Sequence, residues 1–272
     1  MLQNFGMKIF GITSAIILAL MFSTKVWSQE YGQSGDTIRV LTFNILHGAT
    51  TKGDFNLEKI ASVIKNADPD LVALQEVDFK TKRAQNYDLA TELGQRTKMA
   101  SLFGIAMPYD GGAYGEGILT KMPILKSENI ALPHSPGNEA RTALSVLVQL
   151  ASGDTIQFIG THLEHQRNSS DRIDQVQKII DKFADCSFPT ILAGDLNDLP
   201  DSKPISMLKE YWMESFGNLP QPTYSSKNPE RKIDYIFYRP YEHWEVVQKK
   251  VICDTIASDH CAVLSVFRLK NQ

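Results

Sequence analysis

Nine short runs rich in β-branched and aromatic residues recur along the chain, at residues 38–46, 71–77, 117–120, 143–150, 156–162, 190–193, 233–238, 246–253 and 262–269. Runs of this composition bounded by turn formers read as strands. Helical periodicity falls between only some of them. Leu57, Ile60, Ala61 and Ile64 make an apolar stripe after Asn56, and residues 87–96 make a second candidate. Ile173, Val176, Ile179, Ile180 and Phe183 make a third, after Ser170 and Asp171. An all-parallel wound sheet needs a crossover helix for every neighbouring pair of strands, and residues 115–162 supply none. The pattern predicts an α/β (α+β) chain of two mixed sheets packed face to face and covered by helices.

Residues 1–28 read as a secretory signal peptide. Lys8 gives the positive start, residues 9–22 are apolar apart from Gly11, Thr13 and Ser14, and Val26-Trp27-Ser28 offers a cleavage site. The apolar stretch falls short of the roughly 20 residues a spanning helix needs. An exported protein, periplasmic or secreted, with no membrane span in the mature chain is expected. Residues 29–272 read as a single catalytic domain, because no linker or internal repeat divides them. The stretch 219–232, rich in Pro, Ser and charge, reads as an insertion near a site.

Formal net charge is −3, and Lys8 and Lys25 belong to the leader, so the remainder is more acidic still. That balance argues against a protein that grips nucleic acid by phosphate contacts alone. Two small basic groups, Lys80, Lys82 and Arg83, and Lys227, Arg231 and Lys232, leave room for a local basic cleft. Cys186, Cys253 and Cys261 match no zinc or redox spacing. At most one bridge can form among them, and the plain reading is buried free thiols.

Six of the apolar runs end in an acid, an amide or an imidazole, and strand ends can converge on one edge of a sandwich. Asn44, inside the first run, is a turn or bulge amide or an oxygen ligand for a hard cation. Glu76 is a salt-bridged acid or a Mg²⁺ ligand, since Mg²⁺ is often held by one or two carboxylates with water and phosphate completing its shell. His162 is a structural or a catalytic imidazole. Asp195 and Asn197 form an Asx turn, or a pair sharing one side of an extended segment. Asp234 lies among aromatics and needs a cationic partner. Asp259 and His260 precede the last run. Together these residues supply hard oxygens for a cation, a base for water and donors for a developing phosphorane. A set without Cys argues for Mg²⁺ or Mn²⁺ over thiolate-bound zinc.

In chain order, Thr42-Phe43-Asn44-Ile45, Gln75-Glu76-Val77, the run GEGILT at 115–120, Thr161-His162-Leu163, Gly194-Asp195-Leu196-Asn197, Ile233-Asp234-Tyr235-Ile236 and Ser258-Asp259-His260 resemble a known series. It is that of the endonuclease/exonuclease/phosphatase (deoxyribonuclease-I-like) superfamily, and the chain looks like its secreted bacterial metal-dependent hydrolases. The resemblance covers residues 40–268. It implies a four-layer αββα sandwich with the site at one edge. It also implies roles. Glu76 would be the main metal ligand, with Asn44 and Asp259 assisting. Asp195 would orient or deprotonate the attacking water, with Asn197 fixing it. Asp234 would hold His260 on the phosphate, and His162 would donate to the phosphate or leaving group. Tyr114 and Arg141 would bind substrate.

The activity so implied is Mg²⁺- or Mn²⁺-dependent hydrolysis of a phosphodiester or phosphomonoester by in-line water attack. Export and acidity favour a small-molecule or lipid-headgroup substrate. A secreted non-specific nuclease acting on nucleic acid is the alternative. A non-catalytic binding module on the same fold would have shed catalytic residues, and none of the main set is missing. A monomer is expected, with no permanent protein partner. Glu116 departs from relatives, which often carry Asn or a small apolar residue there. A carboxylate beside a phosphate site should repel anions unless it binds metal or a substrate hydroxyl, or lies in an exposed loop. His47 reads as reaching the site or as a surface-loop residue.

Overall fold

Strand β1 (Thr37–Asn44) sets the layering by its alternation: Ile38 and Val40 are buried in one apolar cluster, Leu41 and Phe43 in another. A strand apolar on both faces needs a layer on each side. The cluster holding Leu41 and Phe43 is closed by α1 (Leu57–Ala67) and α2 (Leu89–Thr97). The cluster holding Val40 is closed by a second sheet, whose far face packs on α3 (Ser170–Phe183) and α4 (Lys203–Lys209). Each fully buried Leu, Ile or Phe of these layers contributes roughly 1.5–3 kcal/mol. The fold is the expected αββα sandwich, seen in a computed structural model that describes residue 1, residues 37–217 and residues 221–270. The predicted leader, residues 1–28, lies outside the described residues apart from Met1. Among the described residues no helix is long and apolar enough to cross a membrane.

The first sheet runs β11 (Trp244–Ile252), β12 (Ala262–Leu269), β1, β2 (Leu71–Phe79), β4 (Gly112–Thr120), β3 (Ala100–Tyr109). The second runs β5 (Ile124–Leu132), β6 (Arg141–Gln149), β7 (Thr155–His162), β8 (Thr190–Asp195), β10 (Asp234–Arg239), β9 (Met213–Glu214). Each sheet holds one parallel pair, β1 with β2 and β7 with β8. Helices α1 and α3 make the two crossovers. Asn56 caps α1 by accepting from Lys59 N (3.2 Å), and Asp88 caps α2 by accepting from Thr91 N (3.2 Å).

Strands β3 and β5 fall outside the nine runs read from the sequence, although β3 carries Leu102, Phe103, Ile105 and Met107. Both are sheet edges, and β5 exposes Leu125, Lys126 and Ser127, so neither needs the composition of a buried strand. Helix α4 was equally invisible, being too short for a periodic stripe. The thiol expectation is corrected. Ile252 pairs with Ala262 across β11 and β12, which sets Cys253 opposite Cys261 at the mouth of the connecting loop, and these two form a disulfide. Cys186 is free and half-buried.

Candidate active site

Both parallel pairs end in polar residues at one edge of the sandwich. In the register of the first sheet Asn44 sits beside Gln75, and in the second His162 sits beside Asp195, which in turn faces Asp234. Glu76 reaches the same edge by a bulge. The pairing of β2 with β4 slips between Leu74 and Val77, and Glu76 adopts φ +58°, a backbone region uncommon for a residue with a side chain. Asn197 is likewise left-handed (φ +51°), which folds its backbone N–H back onto Asp195 Oδ1 (3.0 Å). His260 comes from the loop before β12.

Of these, Glu76, His162, Asp195, Asn197 and His260 line a cavity of about 430 Å³. Its hub is Asp195, only 1% exposed. Asp195 Oδ2 accepts from Asn44 Nδ2 (3.2 Å) and lies 3.4 Å from His162 Nε2 and 3.6 Å from His260 Nε2. Burial pushes its carboxyl up to about 7, with the neighbouring Asp234 carboxylate adding to the effect. His260 is set the other way. Burial disfavours its cation, but Asp234, 3.0 Å from Nδ1, and Asp195 outweigh that and raise the imidazole to about 10. His260 is therefore an imidazolium at neutral pH, with Nε2–H facing the cavity.

His162 is neutral. Burial, together with the Arg141 charge, holds it well below the ordinary imidazole range. Arg141 Nη1 stands 3.1 Å from His162 Nδ1. A guanidinium can only donate, so this contact calls on Nδ1 as an acceptor. The Asn197 amide nitrogen, which donates to Leu163 O (3.0 Å), stands 2.9 Å from Nε2, so the neutral ring meets a donor at each nitrogen with one acceptor to offer. Arg141 also donates to Tyr114 OH (3.3 Å) and, through Nη2, to Glu139 (2.7 Å).

Glu76 lies at the mouth. Asn44 Nδ2 donates to its Oε1 (3.1 Å), and His47 Nδ1 stands 3.3 Å from its Oε2. Burial opposes its ionisation, but these two hydrogen bonds outweigh burial and keep its carboxyl below the ordinary range. Asn44 thus ties both carboxylates from behind, while its Oδ1 accepts Leu46 N (3.1 Å). Asp259 lines the cavity, with burial raising its carboxyl. Among the described His, Cys, Asp and Glu residues, Asp195, Asp234 and His260 present atoms close enough to share one ion. Those three already satisfy one another. Glu76 and Asp259, both partly exposed oxygen donors on the cavity wall, fit a hard dication better.

All ten residues singled out from the sequence meet here: eight line the cavity, and Asn44 and Asp234 support them from behind. Glu116 is no loop acid. It lies in β4, 1% exposed, with Oε2 unpartnered, and burial pushes its carboxyl well up against the opposing pull of Arg141. Burial disfavours its charged form, which weakens the anion repulsion expected of an exposed carboxylate there. His47 reaches the site. The segment before β10 does too, placing Tyr224 and Arg231 on the wall. Tyr224 packs on His260 (4.9 Å between rings). Sequence reasoning missed Tyr224, Tyr109, Glu139 and His165, which lie in turns, loops or an edge strand, where no apolar run marks them. The basic group at Lys227, Arg231 and Lys232 is broken up, since Lys232 is buried against Glu214 (2.8 Å).

Residues 41–260 match the Endonuclease/Exonuclease/phosphatase family. Among solved structures, an endonuclease/exonuclease/phosphatase from Beutenbergia cavernae is 25% identical with TM-score 0.74, over 86% of this chain and 72% of that one. One from Bacteroides vulgatus is 20% identical with TM-score 0.70, over 86% of this chain and all of that one. A mannosyl-6-phosphatase from Bacteroides thetaiotaomicron is 17% identical with TM-score 0.68, again over 86% of this chain and all of the other.

Proposed function

The chain belongs to the endonuclease/exonuclease/phosphatase family, hydrolases of phosphoester bonds, and on that premise we propose that it is an exported, Mg²⁺- or Mn²⁺-dependent phosphoesterase acting on a small-molecule or lipid-headgroup ester. The observation that carries this reading is the hub at Asp195: one buried carboxyl touched by Asn44, Asn197, His162 and His260. A carboxyl raised to about 7 is matched to taking a proton from water near neutral pH.

In the proposed reaction water attacks phosphorus in line with the leaving oxygen, and Asp195 receives its proton while Asn197 N–H and Asn44 hold the carboxylate. The His260 imidazolium donates to a phosphoryl oxygen as charge develops, His162 lines the wall beside it, and the ester P–O bond breaks with the departing oxygen taking a proton from solvent water. Asp234 keeps His260 charged and oriented. Arg141 positions the His162 ring and the Tyr114 hydroxyl. Glu76 and Asp259 would hold the dication, with Asn44 aligning Glu76; when bound it would neutralise negative charge on the phosphate.

A cavity of about 430 Å³ supports a small substrate over a duplex. Of the arginines on its wall, Arg83 is committed to Asp78 (2.7 Å) and Arg141 to Glu139, while Arg231 lies 5.9 Å from the Tyr224 ring centre. A nuclease reading would need activity on plasmid or RNA that falls steeply with salt.

The test is hydrolysis of bis-p-nitrophenyl phosphate and p-nitrophenyl phosphate by EDTA-treated protein. Mg²⁺ or Mn²⁺ should restore turnover to the wild type and not to Glu76→Ala. Metal-independent turnover, or full activity in the variant, would sink the assignment. Export is tested separately, by whether protein recovered from the periplasm or medium begins near residue 29.

A further inference from the structure

The catalytic groups account for the floor of the cavity but not for one wall. There Tyr109, beside the tip of the β3–β4 hairpin, is 38% exposed and lines the cavity next to Met107 and Arg83. Single exposed aromatics are common; this one is held unusually firmly. The Arg83 guanidinium lies 4.4 Å from the Tyr109 ring centre and 5.6 Å from that of Tyr114. Asp78, fully buried, takes Arg83 Nε at 2.7 Å and Nη2 at 2.8 Å. The hairpin tip is tied to the same segment, since Asp110 Oδ2 accepts Arg83 N (2.8 Å) and Asp110 O accepts Lys82 N (3.0 Å). The two tyrosine rings stand 6.1 Å apart.

This construction does not suit a second phosphate site. Arg83 has two of its donors and its charge engaged by a buried carboxylate, so it offers a flat cationic back to the rings and little free charge to an anion. What remains on the cavity side is an ordered aromatic surface beside the reacting centre. Apart from Tyr224 and Ile233, the rest of the rim is polar. His47, Glu139, His165 and Asp259 line it, and carboxylates with imidazoles both accept from and donate to hydroxyl groups. A saturated ring bearing hydroxyls matches both halves, with its C–H face on the tyrosine and its hydroxyls on the rim.

We propose that Tyr109, held in place by Arg83 and Asp78, is the surface on which the alcohol part of the substrate lies, and that it selects phosphate esters of polyhydroxylated saturated rings over acyclic ones. This rests on the phosphoesterase reading above. Tyr109 contacts substrate; Arg83 and Asp78 are positioning residues.

The experiment compares kcat/KM for myo-inositol 1-phosphate, glucose 6-phosphate, glycerol 3-phosphate and a nucleoside 5′-monophosphate, each also as its methyl diester, in wild type, Tyr109→Ala and Tyr109→Phe. The ratio of ring to acyclic substrate should fall about tenfold in Tyr109→Ala, through KM and not kcat. Tyr109→Phe, which keeps the ring, should restore it. Arg83→Lys, which keeps the charge but loses the planar fork, should lower the ratio in the same direction. The two ring substrates separate a sugar source from a cyclitol source. Calorimetric binding of the same esters to Asp195→Ala, with and without Tyr109→Ala, reads the preference without turnover. Ring preference in binding with no hydrolysis by wild type would sink the phosphoesterase reading and keep the tyrosine surface. Equal losses for ring and acyclic esters, or the largest loss for the nucleotide, would overturn the tyrosine surface.

Discussion

The two strand–helix–strand units, β1–α1–β2 and β7–α3–β8, deliver a carboxylate to the same edge and then treat it in opposite ways. Glu76 keeps 23% of its side-chain surface and a carboxyl held below the ordinary range; Asp195 keeps 1%, with its carboxyl pushed to about 7. The cause is local. Strand β2 bulges at Glu76 and continues to Phe79, which turns the side chain to the mouth beside His47. Strand β8 stops at Asp195, where Asp234 of the antiparallel neighbour β10 sits in register and supplies like charge. Residue type alone therefore does not assign the role. Two carboxylates on equivalent strands become a permanent anion and a titrating group through burial and neighbours.

The widest separation should appear when each carboxylate is replaced by its amide. Asp195→Asn should cut kcat by roughly 10²–10⁴-fold, the range of a general base, while Mn²⁺ affinity persists. Glu76→Gln should lose metal affinity first. Stability in the metal-free protein should move with opposite signs. The folded-state pKa of Asp195 lies above its unfolded value, so the native state binds the proton more tightly and stability drains away as pH rises from about 4 toward 7. Asp195→Asn should raise Tm at pH 8, by about 2–4 °C for each kcal/mol relieved. The folded-state pKa of Glu76 is depressed, so its contribution is present above the unfolded value and lost as pH falls through the folded one. Glu76→Gln should lower Tm at pH 8. Shifts of the same sign, read by calorimetry after EDTA treatment, would erase the distinction drawn between the two units.

A smaller effect tests the like charge that makes Asp195 what it is. In metal-free protein the His260 ring should titrate near 10 by NMR. Its folded pKa is above the unfolded value, so its stabilisation is complete below about 6.5 and vanishes as pH rises through the folded one. Asp234→Asn removes the partner at 3.0 Å. It should bring the His260 titration down, with a loss in kcat of roughly 10–100-fold at pH 8. An unchanged His260 titration in that variant would mean that Asp234 does not hold the imidazolium.

What the sequence made legible follows the same division. Strands buried on both faces announce themselves, and so do the polar residues that end them. Asn44, Glu76, His162, Asp195 and Asp234 all close or open such runs, which is why the core and the floor of the site could be read without coordinates. Burial of each group could not be read. Glu116 looks like any acid in a Gly-rich segment until β3 and β2 close on either side of it. Strand β5, an edge with three consecutive exposed residues, lacks the composition that marks the others. The walls of the cavity come from less marked places: Tyr109 from the edge strand β3, and Tyr224, Arg231, Glu139 and His165 from loops. Cys253 and Cys261 could be paired only through the register of β11 with β12.

The smallest expected effect on turnover concerns that disulfide, which belongs to neither unit. It closes the loop carrying Asp259 and His260, so it constrains one proposed metal-holding residue together with the phosphate-facing imidazole. The loop has other anchors. Ser258 Oγ donates to Asn44 O (2.7 Å), Ser226 N to Asp259 O (2.6 Å), and Cys261 N to Thr223 O (2.7 Å). Loss of the bridge should therefore loosen His260 without releasing it. A short closed loop contributes roughly 2–3 kcal/mol through the unfolded chain, so the paired Cys253→Ala and Cys261→Ala variant should melt about 4–12 °C lower. Its kcat should fall less than about tenfold, because hydrogen bonds still place the imidazole within reach of Asp195. Treating wild type with a phosphine reductant should reproduce both changes and add nothing to the variant. Metal affinity at Glu76 is the discriminating readout. If it stays constant while kcat falls, the open and the buried halves of the site are built independently. If metal affinity falls in step with kcat, the loop supports Glu76 as much as His260, through Asp259 and the Ser258–Asn44 bond, and the two halves act as one unit.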